Sequence, residues 1–595
     1  MAESPTHNAI GVISLKVLSN GSEIDDAMEV LSVQVEKRIN RIASAKLVLL
    51  DGDMPEQDFP VSNEDTFKPG NEIEIKAGYA GKEETLFKGI VVRHGIKIDS
   101  GNFSRLELEC KDKSVAMTVG RKNANYVDLK DSDVIGKLIQ QYAGLKSSVD
   151  ATSVKHGELV QYYCTDWDFM LSRAEANGLL VMVDEGKVSV LKPQAKAATL
   201  KVTYGEDLID FAADIDAGTQ LKKVEAASWD AAEQKLVEQT AGPGSVNKQG
   251  NLKSADLHKV LGLASYRLQT NAPLQEKELS DWAESRQLKA DFARIRGRMR
   301  FQGSAKARIG ESIELAGVGK RFNGDVFVTS VHHDISKGNW ITEAGFGLAG
   351  DWFAEQRELM APPASALVPG VQGLQIGVVK QIHQDPDNNY RIQVVVPLLA
   401  AETEGVWARL SKFYASDGIG AYFLPEIDDE VVLGFLNSDP ANPVILGSLY
   451  SGKRKPPYTP EEGNNTKAIV TRSELKIEFD EEKKVITITT PANNKMVFND
   501  EKKTILVQDQ NDNKVELKPE GIEMSSPKDI EIKATGNIHL QADANIEVKA
   551  TGDVDVKGMN VNQNADAAFT AKGNASAELS ASGQTTVKGA MVMIN

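Results

Sequence analysis

The C-terminal part of the sequence repeats a unit of eight residues, and this repeat decides the fold of the chain. The first four units read Asp529-Ile-Glu-Ile-Lys-Ala-Thr-Gly536, Asn537-Ile-His-Leu-Gln-Ala-Asp-Ala544, Asn545-Ile-Glu-Val-Lys-Ala-Thr-Gly552 and Asp553-Val-Asp-Val-Lys-Gly-Met-Asn560. Positions two and four of each octad are apolar, and alternate residues of a strand face opposite sides. We therefore predict a core of inward side chains: Ile530, Ile532, Ile538, Leu540, Ile546, Val548, Val554 and Val556.

After Asn560 the octads continue in a shifted frame, which leaves the strand register open there. The apolar positions in that frame are Phe569, Ala571, Ala577, Leu579 and Val587.

An octad strand cannot be stable by itself. Two buried aliphatic side chains contribute roughly 3–6 kcal/mol, whereas ordering eight residues costs roughly 8–16 kcal/mol of backbone entropy. Strands from identical chains would pair with every free edge. A three-fold axis would place the aliphatic side chains inside a triangular cross-section, so we predict a homotrimer. A monomeric β-solenoid is the alternative, although its turns usually contain many more than eight residues.

A second repeat, of 19 residues, precedes the octads. Each unit consists of two short alternating strands joined by a charged or Asn-rich turn, and units of this size must stack to bury their apolar faces. The residues that align at this spacing are Phe479, Phe498 and Leu517; Ile486, Ile505 and Met524; and Glu482, Glu501 and Glu520.

The first 365 residues alternate between strand and helix patterns. Six strands near 12–18, 30–35, 45–50, 71–77, 86–98 and 103–110 predict a small barrel or sandwich, and strands within 294–348 predict a second barrel. Helices are predicted after a cap at Asp131-Ser132-Asp133, from Asp166 to a stop at Asn177-Gly178, and near Pro273–Ala290. About five strands follow, at 377–380, 390–397, 405–410, 421–424 and 430–436, and they fit an OB-type barrel.

The predicted fold class is therefore mainly β with some helices. It comprises two N-terminal β-barrels with inserted helices, an OB-fold barrel and a C-terminal trimeric intertwined β-helix. The expected domains are 1–365, 374–452, a β-repeat neck at 453–528 and an octad-repeat needle with a terminal platform at 529–595.

The charge, cysteine count and hydrophobicity of the sequence argue against several classes of protein. The net charge of −17 disfavours nucleic-acid binding, which needs a concentrated basic surface. Two cysteines, Cys110 and Cys164, cannot build a disulfide framework, and we expect buried reduced thiols. No stretch has the apolar length of a transmembrane helix, and we expect no Sec-type signal.

Candidate chemical sites are few, and each has a structural explanation. Adjacent strand residues face opposite ways, so His332-His333-Asp334 is expected to be structural rather than a metal site. His383, Asp385 and Asp387 belong to an Asp-Pro-Asp-Asn-Asn turn sequence, and Asp428-Asp429-Glu430 is expected to be a solvated turn. With no nucleophile elbow, P-loop or zinc-protease motif in the sequence, we predict no catalytic, metal or cofactor-binding residue and no cofactor.

The octads and the barrel before them resemble the Vgr (valine–glycine repeat, VgrG-like) spike family of contractile injection systems. The resemblance covers nearly the whole chain and departs from the family pattern at Ile427 and Tyr390, which affects only local turns. The stretches that carry it are Gly377-Val-Val-Lys, Asp385-Pro-Asp, Tyr390-Arg-Ile-Gln-Val, Gly405-Val-Trp-Ala-Arg409, Pro425–Val431, Phe435–Pro440, Pro443–Leu449, Asp166–Gly178 and Gly324–His333.

The resemblance implies a homotrimeric central spike that pierces a target membrane and is not an enzyme. It implies a baseplate-hub-like region at 1–365 that contacts inner-tube and baseplate proteins. A small metal-bearing tip protein of the PAAR type would bind at the C-terminus, and we expect its platform to be Val592, Met593 and Ile594. Cargo effectors are possible further partners.

The same resemblance implies where the protein acts. It would be made in the bacterial cytoplasm, assembled into an injection particle, and found outside or in the target cell after firing. A trimeric tail-fibre or receptor-binding module is the alternative function. A spike-borne cell-wall hydrolase is disfavoured because the 19-residue repeat fills 453–527.

Overall fold

The computed structural model describes the chain except for residues 1, 8, 10, 102, 195, 232, 245, 246, 357, 358, 399–404 and 595. Contacts divide it into two compact units, Met1–Leu449 and Tyr450–Asn595. Among the described residues, no helix has the length and apolar character needed to span a membrane.

Among its described residues, the first unit contains 28 strands and five short to medium α-helices. The strands are β1 (Ile13–Ser19), β2 (Ser22–Glu23), β3 (Val30–Arg38), β4 (Ser44–Leu50), β5 (Glu72–Tyr79), β6 (Lys82–Ile98), β7 (Ser104–Lys111), β8 (Lys122–Lys130), β9 (Lys146–Val149), β10 (Lys155–Cys164), β11 (Leu180–Asp184), β12 (Lys187–Leu191), β13 (Leu200–Thr203), β14 (Leu208–Ile215), β15 (Val224–Asp230), β16 (Lys235–Ala241), β17 (Tyr266–Thr270), β18 (Ile295–Gln302), β19 (Ser312–Ala316), β20 (Gly324–Ser336), β21 (Asn339–Phe346), β22 (Gln375–Gln381), β23 (Ile392–Val395), β24 (Val406–Leu410), β25 (Ala415–Ser416), β26 (Ile419–Gly420), β27 (Glu430–Phe435) and β28 (Pro443–Leu449). The helices are α1 (Pro60–Asn63), α2 (Asp131–Gln140), α3 (Asp166–Ala176), α4 (Ser254–Leu257) and α5 (Glu276–Phe292).

The strands predicted to form two separate barrels instead join one 13-stranded sheet. Its order is β14-β18-β21-β20-β3-β4-β7-β6-β5-β1-β2, with β19 and β13 attached beside β20. The link is the antiparallel pair β3–β20, in which Val35 lies opposite His333. The sheet nevertheless has two cores, one around Leu47 and Ile75 and one around Met299 and Val328. The predicted strands are therefore present, but long-range pairing fuses them into one sheet.

The predicted helices are present and pack against small sheets. Helices α2 and α3 bury Ile135, Leu138 and Met170 in a core with the sheet β11-β12-β9. Helix α5 packs Leu279 and Ala283 against the sheet β16-β15-β17. Helix α2 begins at Asp131, which is buried, and of the predicted capping triplet it is Asp133 that accepts the backbone N–H of the N-cap residue Lys130, at 3.3 Å.

Residues 375–449 form a closed five-stranded barrel in the order β22-β23-β24-β28-β27. Its core contains Val379, Val394, Val431 and Ile445. The strand predicted at 421–424 is wrong: this described segment forms no strand and is followed by Pro425, which cannot donate to a β-ladder. The barrel is closed instead by β28, which pairs parallel with β24 and antiparallel with β27.

The second unit begins with a seven-stranded antiparallel meander. Its strands are β29 (Thr466–Val470), β30 (Lys476–Asp480), β31 (Val485–Thr489), β32 (Lys495–Asn499), β33 (Thr504–Gln508), β34 (Lys514–Lys518) and β35 (Gly521–Ser525). Strands β30, β32 and β34 begin 19 residues apart, which confirms the repeat and its two-strand unit. We call this sheet the neck.

The octads behave differently from the neck. Among the described residues from Ser526 to Ile594, no strand pairs with another part of the same chain. The backbone bends once per octad, at Thr535–Gly536, Asp543–Ala544 and Thr551–Gly552. The octad period is thus visible in the backbone, while the predicted intertwined β-helix stays a prediction about several chains.

Candidate assembly surface

The neck places five of the six aligned apolar residues of the 19-residue repeat in one cross-strand row. Residues directly opposite each other in an antiparallel pair share a face of the sheet. The row runs through Phe479, Ile486, Phe498, Ile505, Leu517 and Ile522 in six successive strands. A second row on the same face, two residues along each strand, contains Ile477, Ile488, Met496, Val507, Val515 and Met524. We call these twelve residues the neck face.

Among the described residues of the second unit, no element covers the neck face. Ile486 is 39% exposed, Ile488 42% and Ile522 72%, although a sheet of this length normally buries one apolar face. Fully burying one such side chain contributes roughly 1.5–3 kcal/mol. Twelve contiguous apolar side chains therefore make this face a candidate protein-interaction surface.

The opposite face of the neck is mostly polar, although it also carries apolar side chains such as Val497 and Leu506, which lie opposite each other. Lys476 Nζ lies 3.0 Å from Glu478 Oε2 in β30, and Lys514 Nζ lies 3.3 Å from Glu516 Oε2 in β34. Exposed pairs of this kind contribute little stability but are compatible with water. The neck is thus a sheet with one apolar face and one mostly polar face, and the polar face is compatible with exposure to water.

The last neck hairpin departs from the repeat. The turns after Asp480 and Asn499 contain four residues, whereas Lys518 pairs directly with Gly521 across a two-residue turn. As a result Met524, which the 19-residue spacing aligns with Ile486 and Ile505, lies opposite Val515 instead of Leu517. A shift of two residues preserves the face, so Met524 still belongs to the neck face.

The predicted octad core is exposed in the single chain. Position-two residues Ile530, Ile538, Ile546 and Val554 are 52–58% exposed. Position-four residues Ile532, Leu540, Val548 and Val556 are 68–77% exposed. These regularly spaced aliphatic side chains form an exposed apolar row that no described residue of the second unit covers, and their inward role stays a prediction.

The terminal residues predicted as a platform are also apolar and exposed. Val592 is 51% exposed, Met593 82% and Ile594 92%. They follow the last octad bend, at Ala590–Met591. Their role in binding another protein stays a prediction.

The histidine pair in β20 is split between the two faces of the sheet, as predicted. His333 is buried, and its Nδ1 lies 2.9 Å from Thr342 Oγ1 and 3.3 Å from Trp340 Nε1. Burial lowers the pKa of His333 to about 3, so the ring is neutral. His332 points to the other side and borders a charged groove with Glu36. The pair therefore does not act as one metal site.

The two predicted acidic turns are turns in the structure. Asp385 accepts backbone N–H groups from Asn389 at 2.8 Å and Arg391 at 3.1 Å, and the Arg391 side chain at 2.6 Å. The Arg391 guanidinium, together with these N–H groups, holds the pKa of Asp385 well below its usual range. Asp428 has φ +67°, and Asp429 accepts the N–H of Glu426 at 2.9 Å. These carboxylates shape the barrel loops.

One polar cluster escaped prediction because its members are far apart in sequence. Buried His156 lies between two carboxylates, with Nε2 3.0 Å from Asp131 Oδ2 and Nδ1 3.2 Å from Glu278 Oε1. Asn177 Nδ2 donates to Asp131 Oδ2 at 2.9 Å, and Arg173 pairs with Asp131. The cluster ties together β10, α2, α3 and α5, which indicates a structural role. Across the described chain, no group of three or more His, Cys, Asp or Glu side chains is arranged to hold a metal ion.

Two family models match the chain. The model described as the Alg8 N-terminal domain matches residues 9–337, and the model described as the type VI secretion system/phage-baseplate injector OB domain matches residues 375–450. The second match coincides with the closed five-stranded barrel.

Curated relatives include spike proteins of Pseudomonas aeruginosa. The type VI secretion system spike protein VgrG5 is 28% identical over 143 residues, which are 22% of this chain and 18% of VgrG5. VgrG1b is 25% identical over 189 residues, 29% of this chain and 25% of VgrG1b. The matches span a quarter or less of the length of these relatives.

A solved Escherichia coli component of the type VI secretion system is similar over a longer stretch. It is described as structurally similar to the T4 bacteriophage tail proteins gp27 and gp5. The matched region comprises 73% of this chain and 100% of the E. coli chain. The identity is 12% and the TM-score 0.37, which is too low to establish a shared fold.

The resemblance to the Vgr family is confirmed by the spike-protein relatives and the barrel match. Because the first family model covers more than half of the residues, the chain belongs to the family of the Alg8 N-terminal domain and is a VgrG-like spike protein.

Proposed function

We propose that this protein is the homotrimeric central spike of a contractile injection system. The observation that carries the proposal is the neck face, where twelve apolar side chains lie in two rows on one side of a sheet that no other described element of the second unit covers. A second and a third copy of the chain are its occupants. Three such faces turned inward form a closed prism whose polar sides meet water.

The octads support the same number of chains. Between Ser526 and Ile594 the described chain forms no strand pair with itself, so its backbone N–H and C=O groups are available to pair with strands of other copies. The aliphatic residues at positions two and four then fill the centre. Continuous pairing between chains would make the needle stiff enough to transmit force.

The remaining parts take the roles that the family relationship supports. The region 1–365 would contact the inner tube and baseplate, the barrel at 374–452 would form a collar, and the neck at 453–528 would lead into the needle at 529–595. Val592, Met593 and Ile594 would hold a small PAAR-type tip protein, and cargo effectors could travel with the spike. Contraction of a sheath would drive the needle through a target membrane.

We propose a mechanical rather than an enzymatic role. Seven neck strands occupy 466–525, so an inserted hydrolase domain has no space between barrel and needle. A tail-fibre module would share the trimer and the β-rich needle. Assembly in the bacterial cytoplasm and release to the outside or to a target cell on firing follow from the spike role.

The test is the mass of the full chain in solution by light scattering. A trimer has a mass of about 194 kDa, three times the chain mass of 64.6 kDa. Ile486→Asp, on the neck face, should reduce the trimer fraction, whereas Thr487→Asp, on the polar face next to it, should not. A monomeric wild-type chain, or equal effects of the two variants, would contradict the proposal.

A further inference from the structure

The backbone locates the frame shift in the octad repeat. Bends recur every eight residues up to Thr551–Gly552, and the next bend is at Met559. The bends that follow are at Asp566–Ala567, Asn574–Ala575 and Ser582–Gly583, which are again eight residues apart but one residue earlier than the first frame requires. One residue is therefore missing near Met559, and the octad after it runs from 560 to 567.

Exposure supports this frame at Val561 and at Leu579, which is 77% exposed, whereas Phe569 at 66% and Val587 at 64% fall between the values of positions two and four. Position-two residues of the first four octads are 52–58% exposed, and position-four residues are 68–77% exposed. Val561 is 52% exposed, which matches position two. Gln563, two residues later, therefore occupies position four.

Position four is otherwise aliphatic throughout the needle. From Asp529 to Met591, a stretch that the structure describes completely, the position-four residues are Ile532, Leu540, Val548, Val556, Gln563, Ala571, Leu579 and Val587. Gln563 is the polar exception. We infer that Gln563 forms an interchain polar layer inside the needle, with its amide directed at the amides of two further copies of the chain. This inference rests on the proposed homotrimer.

Three glutamine side chains around one axis can form a ring of hydrogen bonds that uses the carbonyl and one N–H of each amide. Each amide carries one carbonyl acceptor and two N–H donors, so each NH₂ group can donate to the carbonyl of the next chain in a closed ring. A chain displaced by one octad would set this amide against aliphatic neighbours such as Val556, and its hydrogen bonds would be lost. The layer thus selects partners in matched axial register, in the way that a single buried polar residue specifies register in a coiled coil.

The experiment compares charge at Gln563 with charge at a matched outward glutamine. Gln541 occupies position five of its octad, on the opposite face from Leu540, so Gln563→Glu and Gln541→Glu make the same chemical change at an inward and an outward position. The readouts on the full chain are its mass by light scattering and the rate of tryptic cleavage at Lys557 and Lys572. We expect cleavage of Gln563→Glu at pH 7.5 to be about tenfold faster than that of wild type, because three carboxylates repel each other and open the needle locally. Gln541→Glu should match wild type.

A thermal melt at two pH values and an apolar variant complete the test. The melting deficit of Gln563→Glu should shrink at pH 4.5, where its carboxylates take up protons, and Gln563→Leu should keep the trimer and cleave no faster than wild type. Equal cleavage of Gln563→Glu and Gln541→Glu in a trimeric protein would overturn the polar layer alone. A monomeric wild-type chain would instead overturn the proposed trimer and the layer with it.

Discussion

The Arg173 guanidinium donates two hydrogen bonds to the Asp131 carboxylate: Nε lies 2.6 Å from Oδ1, and Nη2 lies 2.9 Å from Oδ2. Asp131 is almost completely buried at the start of α2, and Arg173 stands in α3. Two hydrogen bonds in a fixed fork make this the kind of charge pair that holds elements in one geometry. The pair therefore connects the two helices that the sequence predicts separately.

Removing the guanidinium should leave a buried carboxylate without its charge partner. We expect Arg173→Met to lower the free energy of unfolding by about 3–5 kcal/mol. Arg298→Met, which removes the exposed pair with Glu343 at 3.3 Å, should cost less than about 1 kcal/mol. Urea unfolding followed by tryptophan fluorescence measures both, since Trp167 lies in α3. Equal losses of unfolding free energy in the two variants would mean that the buried pair contributes no more stability than the exposed pair.

Low pH should reduce the contribution of Asp131 to the stability of the folded protein. Burial by itself raises the pKa of Asp131, but hydrogen bonds from Arg173, His156 and Asn177 outweigh it and hold the pKa below its ordinary value. A lowered pKa stabilises the folded protein above the unfolded-state value of about 3.9, and this contribution is lost as the pH falls through the folded-state value. Asp131→Asn should be less stable than wild type at pH 6, and the difference should shrink at pH 3. A constant difference in the urea midpoint would argue against this linkage.

His333 should make stability pH-dependent in a higher range. Its pKa of about 3 in the folded protein lies below the unfolded-state value of about 6.5, so the unfolded state binds more protons between these values. Stability is therefore complete above pH 6.5 and falls by about 2 kcal/mol on going to pH 5. His333→Gln should remove this part of the pH dependence in urea unfolding, whereas His332→Gln should retain it. The idea fails if both variants follow the wild-type curve.

The inward assignment of the octads can be tested with neighbouring residues. Val548→Asp would place three like charges around the needle axis and should prevent trimer assembly. Lys549→Asp, one residue along and on the outward side, removes an exposed ion pair with Glu547 at 2.5 Å and should leave the trimer intact. Light scattering distinguishes the two. A wild-type yield of trimer from Val548→Asp would refute the assignment.

The terminal platform can be removed without touching the octad core predicted before Asn560. Deleting residues 588–595 should abolish binding of a PAAR-type tip protein. The shortened chain should still assemble as a trimer. Asn595, the last of the deleted residues, lies outside the described residues. Pull-down of the tip protein with the full and the shortened chain measures this. Retained binding would place the tip-protein site elsewhere.

Much of the local structure was readable from the sequence. The 19-residue spacing predicted the two-strand unit, and Phe479, Ile486 and Phe498 indeed share one face of the neck. The helices begin or end close to their predicted bounds, and His332 and His333 diverge as adjacent strand residues must. These features depend on neighbours within a few positions, which alternation and capping patterns record.

Long-range pairing was not readable in the same way. The link between β3 and β20 joins residues about 300 positions apart and turns two predicted barrels into one sheet. The closing strand of the five-stranded barrel is β28 rather than the predicted 421–424 segment. Local patterns specify that a strand exists, but its partner is selected by packing and chain closure over the whole domain.

The sequence by itself therefore determined which faces of the neck and octads are apolar, because side-chain direction in a strand follows from position alone. Tertiary structure decided which strands meet and which polar groups converge, as in the cluster of Asp131, His156 and Glu278. The tertiary structure also places Met524 opposite Val515, because the last hairpin has a two-residue turn where the repeat has four-residue turns. The physical reason is that facing is a local property of the backbone, whereas pairing register and buried charge depend on contacts between distant segments.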